Sequence, residues 1–326
     1  MKMNLEDFKK TIKEKIGDYL TEDYADADMS LSEVKKSGGE SYDALMIRKA
    51  GEERYSVIPA LNLTEAYKKY QDGQSVEQIC EDLADVRMNV PIPEGLEKDM
   101  FMNFDKVKGK IYPRLVNSET SKDYLITRPH TEVEDLSMVY AVRINENSTG
   151  FAEAVIDYDL AKMWGVDVED LHEAAMSNME AHEPVFVGLE QAMFGEFPGP
   201  GESTFDLESI SDDCPLPLYM LTNNQKTKGA VMALCAKFMD QITAKFGDVY
   251  VLPSSVDEVL IMPKSAVADH EMDLQDLARM VQQVNIEAVR PEDRLSDNVY
   301  EYDSQTQSLK LAVVAPEQSA GLGMEM

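Results

Sequence analysis

The sequence predicts an α+β fold of two or three β-hairpin-plus-helix units, with small antiparallel or mixed sheets flanked by helices. Two observations carry this expectation. The apolar period alternates between 3.6 and 2 along the chain, and turns rich in Gly, Asn and Asp sit where it changes. A third sets the scale: 326 residues with 44% hydrophobic content can fill more than one core.

Asn4 is a natural cap for a first helix, in which Leu5, Phe8, Ile12, Ile16 and Leu20 line one face. Residues 29–34, 42–49 and 53–60 then read as short strands, with Gly38-Gly39 and Ala50-Gly51 as their turns. A helix starting at Leu63 or Thr64 runs to Tyr70, Asp72-Gly73 breaks it, and Ser75 caps a second helix to about Arg87. Residues 89–95, with Pro91 and Pro93, read as extended and close a unit at 1–95.

A middle unit at 96–194 repeats the order. Residues 136–144 form an apolar strand, 145–150 a polar turn and 152–156 the return strand. Asp159 can cap a short helix over 160–164, Gly165 ends it, and Asp167 caps a longer helix to Met179. The segment Trp164-Gly165-Val166-Asp167 resembles Asp72-Gly73-Gln74-Ser75, which suggests hairpin, short helix, longer helix as a repeated unit. Residues 195–213 have the Gly, Pro, Ser and acidic composition of a linker or exposed loop. In a third unit at 214–315, residues 225–246 read as a helix closed by Gly247. Residues 249–253 and 256–262 read as strands, and 273–285 as a helix. The tail, 316–326, carries no pattern and reads as flexible.

The net charge of −30 is unevenly distributed. Residues 1–70 are nearly balanced, with 12 basic and 14 acidic groups, whereas residues 111–220 carry 5 and 22, net −17. Such a field repels phosphate backbones and anionic lipid. It therefore argues against direct nucleic-acid or membrane binding and favours a basic protein partner, or else serves only solubility. Cys80, Cys214 and Cys235 are odd in number and far apart, so they read as reduced thiols. With no leader-like or membrane-length apolar segment, the expected location is cytoplasmic.

No constellation specifies chemistry. His172-Glu173 and His182-Glu183 are ten residues apart, too far to share a helix face as zinc ligands. Asp157 and Asp159 could hold magnesium at a strand end, but Asp159 is wanted as a helix cap. Ser254, Ser255, Asp257 and Glu258 offer a nucleophile beside carboxylates, yet the G-x-S-x-G elbow is missing and a hairpin turn is the simpler meaning. Thr222-Asn223-Asn224 could bind a ligand or cap the following helix. Neither a P-loop nor a dinucleotide fingerprint is present, so no cofactor is expected. The acids Asp167, Glu169, Asp170 and Glu173 are the best candidates for contact with a basic partner.

Four strings are distinctive together: Tyr112-Pro113-Arg114-Leu115-Val116-Asn117, Tyr219-Met220-Leu221-Thr222-Asn223, Leu252-Pro253-Ser254-Ser255-Val256-Asp257-Glu258-Val259 and Leu295-Ser296-Asp297-Asn298-Val299-Tyr300-Glu301-Tyr302-Asp303. On them the chain resembles an uncharacterised domain-of-unknown-function family (number 5688) of gut bacteria. The resemblance spans most of the chain and implies no activity or catalytic residue. The leading functional expectation is a non-catalytic interaction or regulatory protein that uses its acidic section. The alternatives are an acidic DNA mimic that inhibits a nuclease or other DNA-binding protein, and a metal-dependent or serine hydrolase.

Overall fold

The structure is a computed structural model that describes residues 2–52, 58–89, 101–147, 150–199, 202–210 and 217–316. It has an α+β fold, with three antiparallel sheets among the described residues, and divides into two compact units, Met1–Val107 and Lys108–Met326.

In the first unit, α1 (Leu5–Lys15) is capped by Asn4, whose side-chain oxygen accepts from the Asp7 N–H at 2.9 Å. Its apolar stripe is used as expected: Phe8, Ile12 and Ile16 are fully buried. Strands β1 (Asp28–Lys35) and β2 (Ser41–Arg48) pair from Asp28 opposite Arg48 to Lys35 opposite Ser41. Strand β3 (Leu61–Asn62) adds to the far edge of β2. Helices α2 (Leu63–Gln71) and α3 (Val76–Asn89) follow, started by Asn62 and Ser75, whose side chains accept from Glu65 and Gln78 N–H. The Phe8 ring packs 5.3 and 5.2 Å from those of Tyr67 and Tyr70.

Of the strand expected over 53–60, the part that is described is not strand. Residues 53–57 lie outside the described residues, 58–60 are not strand, and pairing resumes only at Leu61. Pro59 has no N–H to give a ladder. Of the extended segment expected over 89–95, residues 90–95 lie outside the described residues. A single turn, α4 (Phe104–Val107), ends the unit.

In the second unit a four-stranded sheet is centred on β6 (Leu136–Asn147). Along one edge lies β4 (Ile111–Asn117); along the other, end to end, lie β5 (His130–Val133) and β7 (Gly150–Val155). The short α5 (Lys122–Leu125) joins β4 to β5, and α6 (Tyr158–Trp164) and α7 (Val168–Glu180) follow β7. Asp157, not Asp159, is the cap of α6: its carboxylate accepts from Leu160 N–H at 2.8 Å, and the helix begins two residues earlier than the Asp159 reading requires. Gly165 ends α6 in the left-handed conformation, and Asp167 and Asp170 exchange side-chain-to-backbone hydrogen bonds across the first turn of α7.

The third sheet is six-stranded, in the order β13 (Ser308–Val313), β12 (Val299–Asp303), β10 (Val249–Leu252), β11 (Val259–Pro263), β9 (Tyr219–Thr222), β8 (Val185–Gly188). Its connections carry α8 (Leu189–Met193), α9 (Ala236–Phe246), α10 (Lys264–Asp269) and α11 (Leu274–Ala288). The segment 195–213 connects β8 to β9, neighbours in this sheet, and its Thr204 carbonyl accepts from Phe186 N–H.

Two expectations in this region are corrected. The helix expected over 225–246 starts only at Ala236; before it come a loop and a 3₁₀ turn over Gly229–Leu234. Lys226 and Lys228 have φ of 53° and 55°, which no right-handed helix accommodates. The strand expected over 256–262 begins at Val259, because Val256 bonds back to the Asp293 carbonyl rather than into the ladder.

Asp135, at the turn between β5 and β6, ties the two sheets of this unit together. Its carboxylate accepts from Ser296 Oγ at 3.0 Å, Asn298 Nδ2 at 2.9 Å and the Tyr300 hydroxyl. Asn117 adds a bond from Nδ2 to the Leu295 carbonyl at 2.7 Å.

Candidate functional site

The four distinctive strings, far apart in sequence, meet in the second unit around the loop from Thr222 to Gly229. Asn223 is buried and staples this loop: Oδ1 accepts from Gln225 and Thr227 N–H, and Nδ2 donates to the Thr227 carbonyl at 2.7 Å. The turn Ser254–Glu258 clamps the loop from outside. Thr222 Oγ1 and Gly229 N–H both donate to the Asp257 carbonyl, at 2.6 and 3.0 Å, and Lys228 N–H donates to Asp257 Oδ1 at 2.9 Å.

The clamp explains Gly229. A Cβ there would lie 2.2 Å from Thr222 Oγ1, 2.6 Å from Asn223 N and 2.7 Å from the Asp257 carbonyl oxygen, so only glycine fits. Two non-glycine residues in left-handed backbone within one loop are an unusual concentration of strain, held in place by these bonds.

The sheet carrying β4, β6 and β7 faces this loop with charge. Tyr112 and Arg114 are two apart on β4 and so share a face; Arg143 on β6 is the cross-strand partner of Glu153 on β7. Arg114 Nη1 pairs with Glu153 Oε1 at 2.9 Å, both side chains largely buried. The Arg143 guanidinium stacks 3.7 Å from the centre of the Tyr112 ring.

Burial, and then the positive charge of Arg114, holds the Lys228 amine below its ordinary value, against the pull of Asp257, Glu153 and Asp293. The Glu258 carboxyl is pushed up, first by burial and then by the charge of Asp257, with a hydrogen bond to Ser255 opposing. Lys226 is shifted down by burial, its ammonium 3.0 Å from the Phe197 ring centre.

Beside the loop lies a cavity of about 100 Å³, walled by Tyr112, Arg143, His182, Asn223, Asn224 and Gln225, with Met179 and Met232 supplying apolar contact. His182 Nδ1 lies 3.0 Å from the Asn178 carbonyl and 3.4 Å from the Tyr112 hydroxyl.

Of the residues singled out from sequence, Ser255, Asp257 and Glu258 belong to this site, as the clamp of the loop. Ser255 is buried, and its Oγ accepts from the Asp257 N–H at 3.0 Å; Ser254 precedes it and bonds through its backbone to Leu252 and Leu295. Asp157 and Asp159 lie apart, at the start of α6, where Asp157 is the cap. Asp167, Glu169, Asp170 and Glu173 are exposed on the first turns of α7, the first and third engaged in the capping box. His172 and His182 bond to Tyr140 and Asn178 respectively, and among the described residues no group of three or more His, Cys, Asp or Glu is placed to hold a metal. Burial pushes the thiols of Cys80 and Cys235 up to about 11, which suits small buried hydrophobes; Cys214 lies outside the described residues.

Sequence reasoning missed Arg143, Glu153, Lys228, Gly229 and Asp293 as parts of one site. It quoted Arg114 only inside a string, and it weighed Thr222-Asn223-Asn224 as a helix cap, whereas no helix starts there. The available signal was the polar run from Thr222 to Lys228 ending in glycine ahead of an apolar segment.

A family described as a family of unknown function (DUF5688) matches residues 5–304. No curated protein and no solved structure matches the chain.

Proposed function

The chain belongs to the DUF5688 family of unknown function, and from the geometry of its second unit we propose that it is a non-catalytic binding protein that receives a small ligand beside the loop Thr222–Gly229. The single observation that carries this reading is the loop: it holds two lysines in strained left-handed backbone, and three of its residues, Asn223, Asn224 and Gln225, wall a cavity. Strain of this kind persists only where surrounding bonds enforce it, and it concentrates at ligand clamps.

The hydrolase alternative gains less support. The hydroxyl and carboxylate it would use, Ser255 and Asp257, are engaged in holding the loop.

The reading is tested by thermal unfolding of the full chain against a library of small metabolites. A compound that raises the midpoint of the wild type should not raise that of Asn224→Trp, which fills the cavity from an exposed position. Equal responses, or no response from any compound, would sink it.

A second reading, contact with a basic protein, is favoured by Glu169 and Glu173. They lie four apart on α7, exposed and without an ion pair among the described residues. Affinity purification from the native host with a salt titration tests it: the partner should leave as salt rises and be lost in Glu169→Gln/Glu173→Gln, which spares the capping box. A DNA-binding protein or nuclease among the captured partners would mark the DNA-mimic version.

A further inference from the structure

The sheet of the first unit ends on an edge without the usual protection. Strand β1 pairs with β2 along all eight of its residues, with no break in register, and among the described residues no strand pairs with its other side. Its outward N–H and C=O groups form an open row, a template on which another strand adds. Native edges are blunted by shortness, proline, a bulge or charge along the strand. β1 has no proline and no bulge, and its stretch Met29-Ser30-Leu31-Ser32 carries no charge.

Burial across the hairpin is lopsided. On β2, Leu45 and Ile47 are fully buried, whereas their cross-strand partners on β1 are Leu31, 39% exposed, and the half-buried Met29. Ser30, Ser32 and Glu33 are exposed as well. The apolar face of the sheet thus continues onto its last strand and stops there uncovered.

Charge says what covers it. The acids lie at the start of this segment and the bases at its end. Asp26 and Asp28 are exposed and have no ion pair among the described residues, and Lys35 and Lys36 close the strand. Between them, Glu33 accepts from Ser41 Oγ at 2.7 Å within the hairpin, and Lys36 reaches Glu40 at 4.0 Å in an exposed pair of small worth. A parallel neighbour of the same sequence would set acid on acid and lysine on lysine. An antiparallel one sets the acidic start of each strand beside the lysines of the other.

We propose that β1 is a self-association edge, to which a second copy of this chain adds its own β1, antiparallel, about a two-fold axis at Leu31. In that register Leu31 faces Leu31 of the second copy, on the side of the sheet that carries Leu45 and Ile47. Ser30 then faces Ser32, Met29 faces Glu33, and Lys35 meets the segment Asp26–Asp28, so no like charges stand opposite one another. The proposal uses the first unit alone and is independent of the ligand reading of the second.

Sedimentation velocity of the full chain over a dilution series tests it. The expected result is a species of twice the mass of one chain that dissociates on dilution. Leu31→Lys sets a charge against its own copy at the two-fold axis and should weaken association about tenfold or more. Two charge-reversed variants locate the contact. Asp26→Lys/Asp28→Lys and Lys35→Glu/Lys36→Glu should each be monomeric alone, where like charges meet, and an equimolar mixture of the two should recover the mass of a dimer. Circular dichroism melting verifies that each variant is folded, and Leu31→Lys alters only an exposed side chain. A wild type that is monomeric throughout overturns the proposal. Variants that associate as the wild type does, or a mixture of folded variants that stays monomeric, overturn it equally.

Discussion

Gly229 and Glu258 are the residues at which the site reports most directly on stability. Any side chain at Gly229 must displace the backbone of Asn223 or Asp257, so Gly229→Ala should cost about 2 kcal/mol or more, read as a lower urea midpoint. Glu258 behaves in the opposite sense. Its folded pKa lies above the ordinary 4.5, so the folded state keeps a proton that the unfolded chain has released. Stability is therefore lost as pH rises from about 4.5 through the folded value. Glu258→Gln should be more stable than the wild type at pH 8 and lose that advantage by pH 4; a gain independent of pH would refute the account. Lys228 follows the mirror argument. With its folded pKa lowered, the unfolded chain binds more protons, stability rises with pH toward 10.5, and Lys228→Met should gain at neutral pH but not above that value. None of this was legible in the sequence, because glycine at 229 and glutamate at 258 look the same in a surface turn.

Elements are where the sequence was most readable. A cap and the stripe that follows it lie within one or two helical turns, so α1, α2, α3, α7 and the C-cap at Gly247 follow from neighbours alone. Removing a cap tests the same local physics. Asp157→Ala and Asp167→Ala should each cost about 1 kcal/mol, measured as urea midpoints with helical signal. If Asp157→Ala is neutral, the assignment of that cap is mistaken. The sequence failed where a local pattern was overruled from afar. Residues 225–235 have helical composition, yet the carbonyl and carboxylate of Asp257 hold Lys228 and Gly229 in a loop. The strands β8, β9, β12 and β13 are four to six residues each and acquire their meaning only from neighbours in the six-stranded sheet.

Across the whole molecule, each unit has its own core, and the second depends on Asp135. Phe8, Ile12 and Leu45 belong to the first, and Leu252, Met262 and Leu277 to the second. Asp135 gathers Ser296, Asn298 and the buried Tyr300, whose phenol is pushed well up by burial and by that carboxylate. Asp135→Ala removes the acceptor of Ser296 and Asn298, with Tyr300 retaining Ser296 Oγ, and should lower the stability of the second unit by about 3 kcal/mol. The single tryptophan, Trp164, lies in the second unit, so its fluorescence isolates that transition, while far-UV circular dichroism follows both units. A fluorescence midpoint unchanged by Asp135→Ala would remove the network from the account of stability.

By itself the sequence determined the fold class, the family resemblance, the caps and apolar faces of its longer helices, and the concentration of acid in residues 111–220. These are short-range or additive properties, readable from spacing and counting. Tertiary structure alone decided that Arg114, Glu153, Lys228, Asp257 and Asp293 share one centre, since they come from separate strands and turns. It also decided that the Lys228 ammonium has no ion pair among the described residues. Whether an ammonium lacks a partner depends on which carboxylates other cations have already taken and on how much water packing excludes, and neither is written in the order of residues.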